Sequence, residues 1–351
     1  MSQASKDRYA WVDFAKGICI VAVVTLYTTN YVNAELDRAN WMNYWIAFAQ
    51  PFRMPDFFLL SGLFLTRVID RPWRTYLDNK VVHYAYFLIL WTIIIIPTTW
   101  SSRGFDPTLI GGIKEIIYFT YDPWAMLWFI QMLALYFVVT RVTRRVPWWI
   151  MFPAAALLQI FPFDTGIKPL NAFGERYVFF YAGYLLSRHF FDFAAWVRTH
   201  VKESLGGLLA WALINGFVVF SGWSHLPGVL LVLGFAGACA IIAIAALIQD
   251  FKSVQWLRYL GQNSIVVYLG FYLPMHVFIA AFVAAGLDGD LGTMAVVVGI
   301  LSILTAVLLD RVTRGTWLGF LFKRPKWAHL PASSAVRRDS ERLAASSGDR
   351  V

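Results

Sequence analysis

Charge is scarce in this chain. Asp, Glu, Lys and Arg make up 15% of its 351 residues, against about a quarter in an ordinary globular domain. Hydrophobic residues account for 59% and the mean hydropathy is +0.58. That composition excludes a soluble globular domain and fits a polytopic membrane protein. Cysteine is nearly absent. Cys19 and Cys239 both lie in apolar runs, which excludes a disulfide framework and leaves no metal-ligand spacing. No Walker motif, Gly-rich dinucleotide loop, internal repeat or soluble domain occurs in the sequence. No cleavable signal is expected: residues 1–13 are polar, and the first apolar run then extends for about 19 residues, long enough to span a bilayer.

Apolar runs fall near 14–32, 43–66, 81–100, 124–140, 147–163, 172–190, 204–221, 226–249, 264–285 and 292–310. They predict an all-α protein with about ten transmembrane helices. The charge of +9 is distributed by topology. Of the 30 Lys and Arg, only Arg38, Arg103, Lys114 and Lys168 fall in the loops opposite the N-terminus. Arg53 and Arg176 lie inside runs, and the remainder gather on the N-terminal side. The positive-inside rule then places both termini in the cytoplasm and removes the case for a nucleic-acid partner. The domain expectation is a cytoplasmic N-terminus over 1–13, a transmembrane domain over 14–310 and a cytoplasmic tail over 311–351. The tail is expected to be disordered beyond about 323, where Ser pairs, Pro and mixed charge lack apolar periodicity.

Polar residues inside the runs mark candidate sites, because charge at membrane depth usually faces a protein interior or a cavity. Arg53 and Asp56 stand three apart between Pro51 and Pro55, a spacing that allows a local pair; each proline also removes a helix donor. Lys16 and Tyr27 are eleven residues apart on the first run, so they share a face at about 16 Å separation. Lys16 either snorkels at the inner boundary or offers a cation to a phosphate-bearing cytoplasmic substrate. Trp128 is an interfacial anchor or a ligand contact, and Gln131 a hydrogen-bonding group between helices. Glu175 and Arg176 are sequence neighbours whose side chains point apart, so each is expected to need another partner. Asn263 or Ser264 can cap a helix start, and His276 is a packing histidine or a base.

Several blocks, in order, resemble the bacterial acyltransferase-3 family of integral membrane proteins. They are Arg8-Tyr-Ala-Trp11-Val-Asp13-Phe-Ala-Lys16-Gly17-Ile, Phe52-Arg53-Met54-Pro55 through Phe58-Leu-Leu-Ser61-Gly62, Leu127-Trp128-Phe129, Tyr181-Ala-Gly183-Tyr184, and Leu260-Gly261-Gln-Asn263-Ser264 through Tyr268. The resemblance covers about 10–310. It implies a bacterial inner-membrane enzyme that takes an acyl group from cytoplasmic acyl-CoA, usually acetyl-CoA, and places it on a hydroxyl of an envelope carbohydrate or lipid-linked acceptor. The acyl-CoA would be a co-substrate rather than a bound cofactor. On that reading Lys16, with Arg67 or Arg71, holds the donor's phosphates, and Arg53 stabilises the developing oxyanion. Tyr27 or Glu175 orients the acceptor, and Asp56, Trp128, Gln131, Arg176 and Asn263 complete the binding surface. Tyr27 stands where the family has a histidine, and Gly270-Phe271 fill the place of a later one, so proton transfer falls to His276 or Glu175. Asp56 replaces a usually apolar residue. The alternative is a family member without acyl transfer that binds or moves a lipid or small solute; a structural or regulatory membrane component is the remaining reading.

Overall fold

The computed structural model describes residues 9–103, 108–123, 125–161 and 165–330. Its long elements are helices: α1 Ala10–Leu36, α2 Met42–Gly62, α3 Trp73–Leu77, α4 His83–Arg103 and α5 Leu109–Tyr121. They continue as α6 Trp128–Val142, α7 Trp148–Ile160, α8 Lys168–Leu185, α9 Ser187–Thr199 and α10 Val201–Phe220. The last are α11 Val229–Ile248, α12 Gln255–Gln262, α13 Ser264–Gly270, α14 Tyr272–Ala284 and α15 Leu291–Thr313. No strand occurs among the described residues.

Every predicted apolar run forms helix, but among the described residues fewer than ten helices qualify as spans. Six are long and apolar enough to cross a membrane: Ala10–Leu36, Trp73–Pro97, Ala125–Val142, Val201–Phe220, Val229–Ile248 and Leu291–Thr313. A seventh follows if α13 and α14, bent by 47°, are one broken span. The remaining three runs became α2, α7 and α8. α7 is short, whereas α2 and α8 carry the polar groups that make them interesting. The exposed Leu205, Leu209, Leu213 and Phe217 recur every turn along α10, a stripe that only an apolar solvent would welcome.

The chain forms two compact units, Met1–Leu65 with Arg145–Phe322 and Thr66–Arg144 with Lys323–Val351. In the first, α1 packs against α12, α15, α2 and α11, while α2 packs against α8 and α11. Reciprocal glycines set both closest seams. A methyl group on Gly17 would strike the carbonyl oxygen of Leu257, and one on Gly261 that of Asp13. Likewise Gly62 abuts the Phe180 carbonyl and Gly183 the Leu59 carbonyl. Small residues permit this backbone-to-backbone approach within a membrane, where packing rather than water expulsion holds helices together. Asn215 of α10, fully buried, donates to the Phe48 carbonyl of α2 at 2.9 Å. Asp290 caps α15, accepting from the Gly292 amide and the Thr293 hydroxyl. The Thr293 bond, more than the amides, holds its carboxyl below the usual range.

In the second unit, Arg141 of α6 is buried and donates to the carbonyls of Ile69, at 2.6 Å, and Arg71. Its guanidinium lies 4.3 Å from the Trp73 ring. Of the tail expected to be disordered beyond about 323, the structure describes residues as far as Leu330. Arg324 is buried and donates to the backbone carbonyl and to the carboxylate of Asp78, at 2.7 Å each, and the Leu330 amide adds a bond of 2.8 Å to the same carboxylate. Charge-assisted bonds of this kind can fix a segment that has no apolar periodicity of its own. The rest of the tail, 331–351, lies outside the described residues.

Candidate active site

The two prolines lie within α2 without ending it, and between them Arg53 is 7% exposed. Its guanidinium makes one hydrogen bond among the described residues, 3.4 Å to the Ile46 carbonyl on its own helix. Its Nε is buried without a hydrogen-bond partner. Arg53 lines a cavity of about 570 Å³ with Gln50 of α2, Gln159 of α7, and Glu175 and Arg176 of α8. Leu26, Phe179 and Leu230 give that cavity apolar wall. A site of this size, apolar with a few convergent polar groups, matches a small-molecule pocket. Tyr27, half-buried on α1, lies within electrostatic reach of Arg53 on one side and of Tyr268 on the other.

Three local expectations are corrected. Glu175 and Arg176 do not point apart; they form an ion pair with each other, because both side chains are long enough to curl back across adjacent positions. Arg53 and Asp56 do not pair. Asp56 is 2% exposed with both carboxylate oxygens unbonded, and it lies within electrostatic reach of Cys19 on α1 and Cys239 on α11. Three residues leave the two side chains about 60° apart around the helix, close enough to pair, but the neighbours differ: Arg53 lines the cavity while Asp56 lies in the packing toward α1 and α11. Asn263 makes no side-chain cap. It donates back to the Tyr259 carbonyl at 2.9 Å and accepts from Arg314 at 3.1 Å.

Asp56 makes a prediction of its own. A buried polar group left unpaired costs about 1–3 kcal/mol. Asp56→Leu should therefore raise the thermal midpoint of the purified protein by an amount worth about 1–3 kcal/mol. A lower midpoint would mean that the carboxyl is satisfied in the folded protein.

His276 sits apart from the cavity wall. Its ring meets Tyr31 and Tyr272 edge-on at 4.7 Å each, and the two tyrosine oxygens are 3.0 Å apart. Tyr31 in turn stacks on Tyr27 at 6.5 Å, so His276 reaches Tyr27 only through an intervening ring. Lys16 is half-buried near the opposite end of α1. Beside it Asp13, 6% exposed, accepts from Gln262 at 3.0 Å and faces Arg258 at 3.8 Å. Arg67, Arg71, Trp128 and Gln131 belong to the second unit. There Arg67 and Arg71 are exposed, Trp128 is half-buried, and Gln131 donates to the Tyr121 carbonyl at 3.0 Å.

Gln159 escaped the sequence reading. Its Oε1 is buried without a hydrogen-bond partner at the cavity wall. A lone amide in the apolar run 147–163 was the available signal. Among the described residues no group of His, Cys, Asp and Glu could hold a metal ion.

A family model described as an acyltransferase domain matches residues 9–311. The inner membrane protein YcfT of Escherichia coli is 23% identical over 306 residues, covering 78% of this chain and 81% of that protein. The nodulation protein NolL of Mesorhizobium japonicum is 23% identical over 296 residues, 76% of each chain. NolL of Sinorhizobium fredii is 21% identical over 294 residues, 76% of this chain and 78% of its own. No solved structure matches at a comparable level.

Proposed function

This chain belongs to the acyltransferase-3 family of membrane proteins, and on that premise we propose that it transfers an acyl group from acyl-CoA on the cytoplasmic side to a hydroxyl of an envelope carbohydrate or lipid-linked acceptor. The observation that carries the reading is Arg53, a buried guanidinium with spare donors in a cavity that also presents a carboxylate. In the reaction the acceptor oxygen attacks the thioester carbonyl, and negative charge gathers on the carbonyl oxygen. A fixed cation with unspent N–H groups stabilises that charge more than it stabilises the neutral ground state. The acceptor's proton passes to Glu175, the carboxylate at the cavity wall, and then to the departing thiolate of CoA. Arg176, its ion-pair partner, keeps the Glu175 carboxylate oriented until then. Tyr27 donates to the acceptor or to the donor's carbonyl. Lys16, about 16 Å along α1 from Tyr27, holds the donor's phosphates at the cytoplasmic face.

One observation favours a second reading, in which the cavity binds or moves a lipid or small solute without chemistry. Tyr27, half-buried on α1, is a phenol where the resemblance leads one to expect a histidine, and a phenol is a weak base near neutral pH. A single experiment separates the two. Labelled acetyl-CoA is supplied to membrane vesicles of either orientation that contain the purified protein and, on the face opposite the donor, envelope carbohydrate as the hydroxyl acceptor. Acyl transfer predicts release of CoA only when the Lys16 end of α1 faces the donor, and a roughly 10²-fold or greater loss in Glu175→Gln. Background release in both orientations would return the non-catalytic reading. Release from the opposite side alone would overturn the topology and the donor site together.

A further inference from the structure

A second concavity lies on the outer face of the first unit, away from Arg53. Its volume is about 490 Å³, and α1, α12 and α15 form its walls. One wall is a stripe of α15: Ile300, Leu304 and Leu308 are 53%, 59% and 60% exposed. Four-residue spacing keeps such side chains in line along one helix face. Trp256, 54% exposed, and Tyr259 line the groove from α12, and Arg311 closes its end.

Arg311 differs from the arginines around it. Arg314 is paired with Asp310 at 2.5 Å, and Arg258 faces Asp13 at 3.8 Å. Arg311 has no carboxylate partner among the described residues. Its guanidinium lies 5.5 Å from the Tyr259 ring, and its Nε makes a marginal 3.5 Å contact to that residue's hydroxyl. The two terminal nitrogens, the fork that grips phosphate oxygens in pairs, are left open to the outside.

From Ile300 to Arg311 the helix rises about 16 Å. That is close to half of the roughly 30 Å hydrocarbon thickness of a bilayer. The groove is therefore one leaflet deep, apolar along its length, with a cation and two amphipathic rings at its mouth. Trp and Tyr favour that headgroup level. The mouth lies at the C-terminal end of α15, on the side where the chain's Lys and Arg concentrate.

We infer that this groove is a binding site for an anionic phospholipid of that leaflet, with its phosphate on Arg311 and one acyl chain along Ile300, Leu304 and Leu308. The site is independent of acyl transfer. A long-chain thioester is the poorer occupant, because its CoA carries several phosphates and, among the described residues, Arg311 is the one cation lining the groove.

The test is native mass spectrometry of the full chain released from detergent, titrated with phosphatidylglycerol or phosphatidylethanolamine of identical chains. Phosphatidylglycerol adducts should appear at roughly fivefold lower concentration, the effect of one well-placed cation. Arg311→Ala should erase that preference while chain-dependent binding persists. Leu304→Trp, which fills the groove, should weaken both lipids. Arg188→Ala, which removes an exposed arginine whose own partner is Asp192, should change nothing. Thermal midpoints verify that each variant is folded. Equal binding of the two lipids, or a preference that survives Arg311→Ala, would overturn the proposal. So would displacement of the lipid by palmitoyl-CoA but not by excess phosphatidylglycerol, or a groove occluded by a second copy of the chain.

Discussion

Arg53→Ala should lower acyl transfer roughly 10²–10³-fold, the scale set by deleting one preorganised donor to a developing oxyanion. The thermal midpoint should barely move. In the resting protein Arg53 makes a single hydrogen bond of 3.4 Å, so little stabilising contact is lost and a desolvated charge is relieved. That dissociation of activity from stability is the signature of a group held for the transition state. Arg53→Lys retains charge but offers a point cation in place of a planar fork, and it should recover only part of the rate. Single-turnover measurements with labelled donor would show the loss in the chemical step. Full turnover in a well-folded Arg53→Ala protein would remove this residue from the mechanism.

The glycine seams should be the least tolerant positions in the fold. Overfilling a packed interior ordinarily costs about 1–3 kcal/mol. At Gly261 and Gly183 the obstruction is a backbone carbonyl of the facing helix, which cannot rotate away as a side chain does. Gly261→Ala must part α12 from α1, and Gly183→Ala must part α8 from α2. Each should therefore cost at least about 3 kcal/mol, seen as a collapse of the monodisperse peak in size-exclusion chromatography of solubilised protein. Gly206 and Gly207 of α10 have nothing within 4 Å of the added methyl. Alanine there should be neutral or stabilising by up to about 1 kcal/mol, the helix-propensity difference. Equal behaviour of the two groups would mean that the seams are looser than they look.

What the sequence made legible follows from what is local. Each apolar run became a helix, since hydrophobic length and composition need no knowledge of neighbours. The count of spans was less secure because α2 and α8 dilute their apolar character with Arg53, Asp56, Glu175 and Arg176. Those same residues drew attention to the cavity, and three of the four line it. Asp56 went astray because spacing along a helix gives separation but not the face each neighbour will cover; α11 arrives about 180 residues later in sequence. His276, read as a packing histidine or a base, faces tyrosines, and only tertiary packing decides that. Asn263 looked like a cap by residue type, but Arg314 from α15 competed for its oxygen. Gln159 was passed over because a neutral amide in an apolar run lacks the energetic alarm of a charge.

The α1–α12 seam joins residues 249 positions apart, measured between Asp13 and Gln262. At a synthesis rate of about 5–20 residues per second, the first helix waits about 12–50 s for that partner. During the wait Asp13 lacks the Gln262 amide and the Arg258 guanidinium, and Gly17 opens a notch with nothing to fill it. A nascent chain that has not yet delivered α12 therefore exposes on α1 a carboxylate without those two partners and an unfilled notch. The helix made first is among the last to be secured.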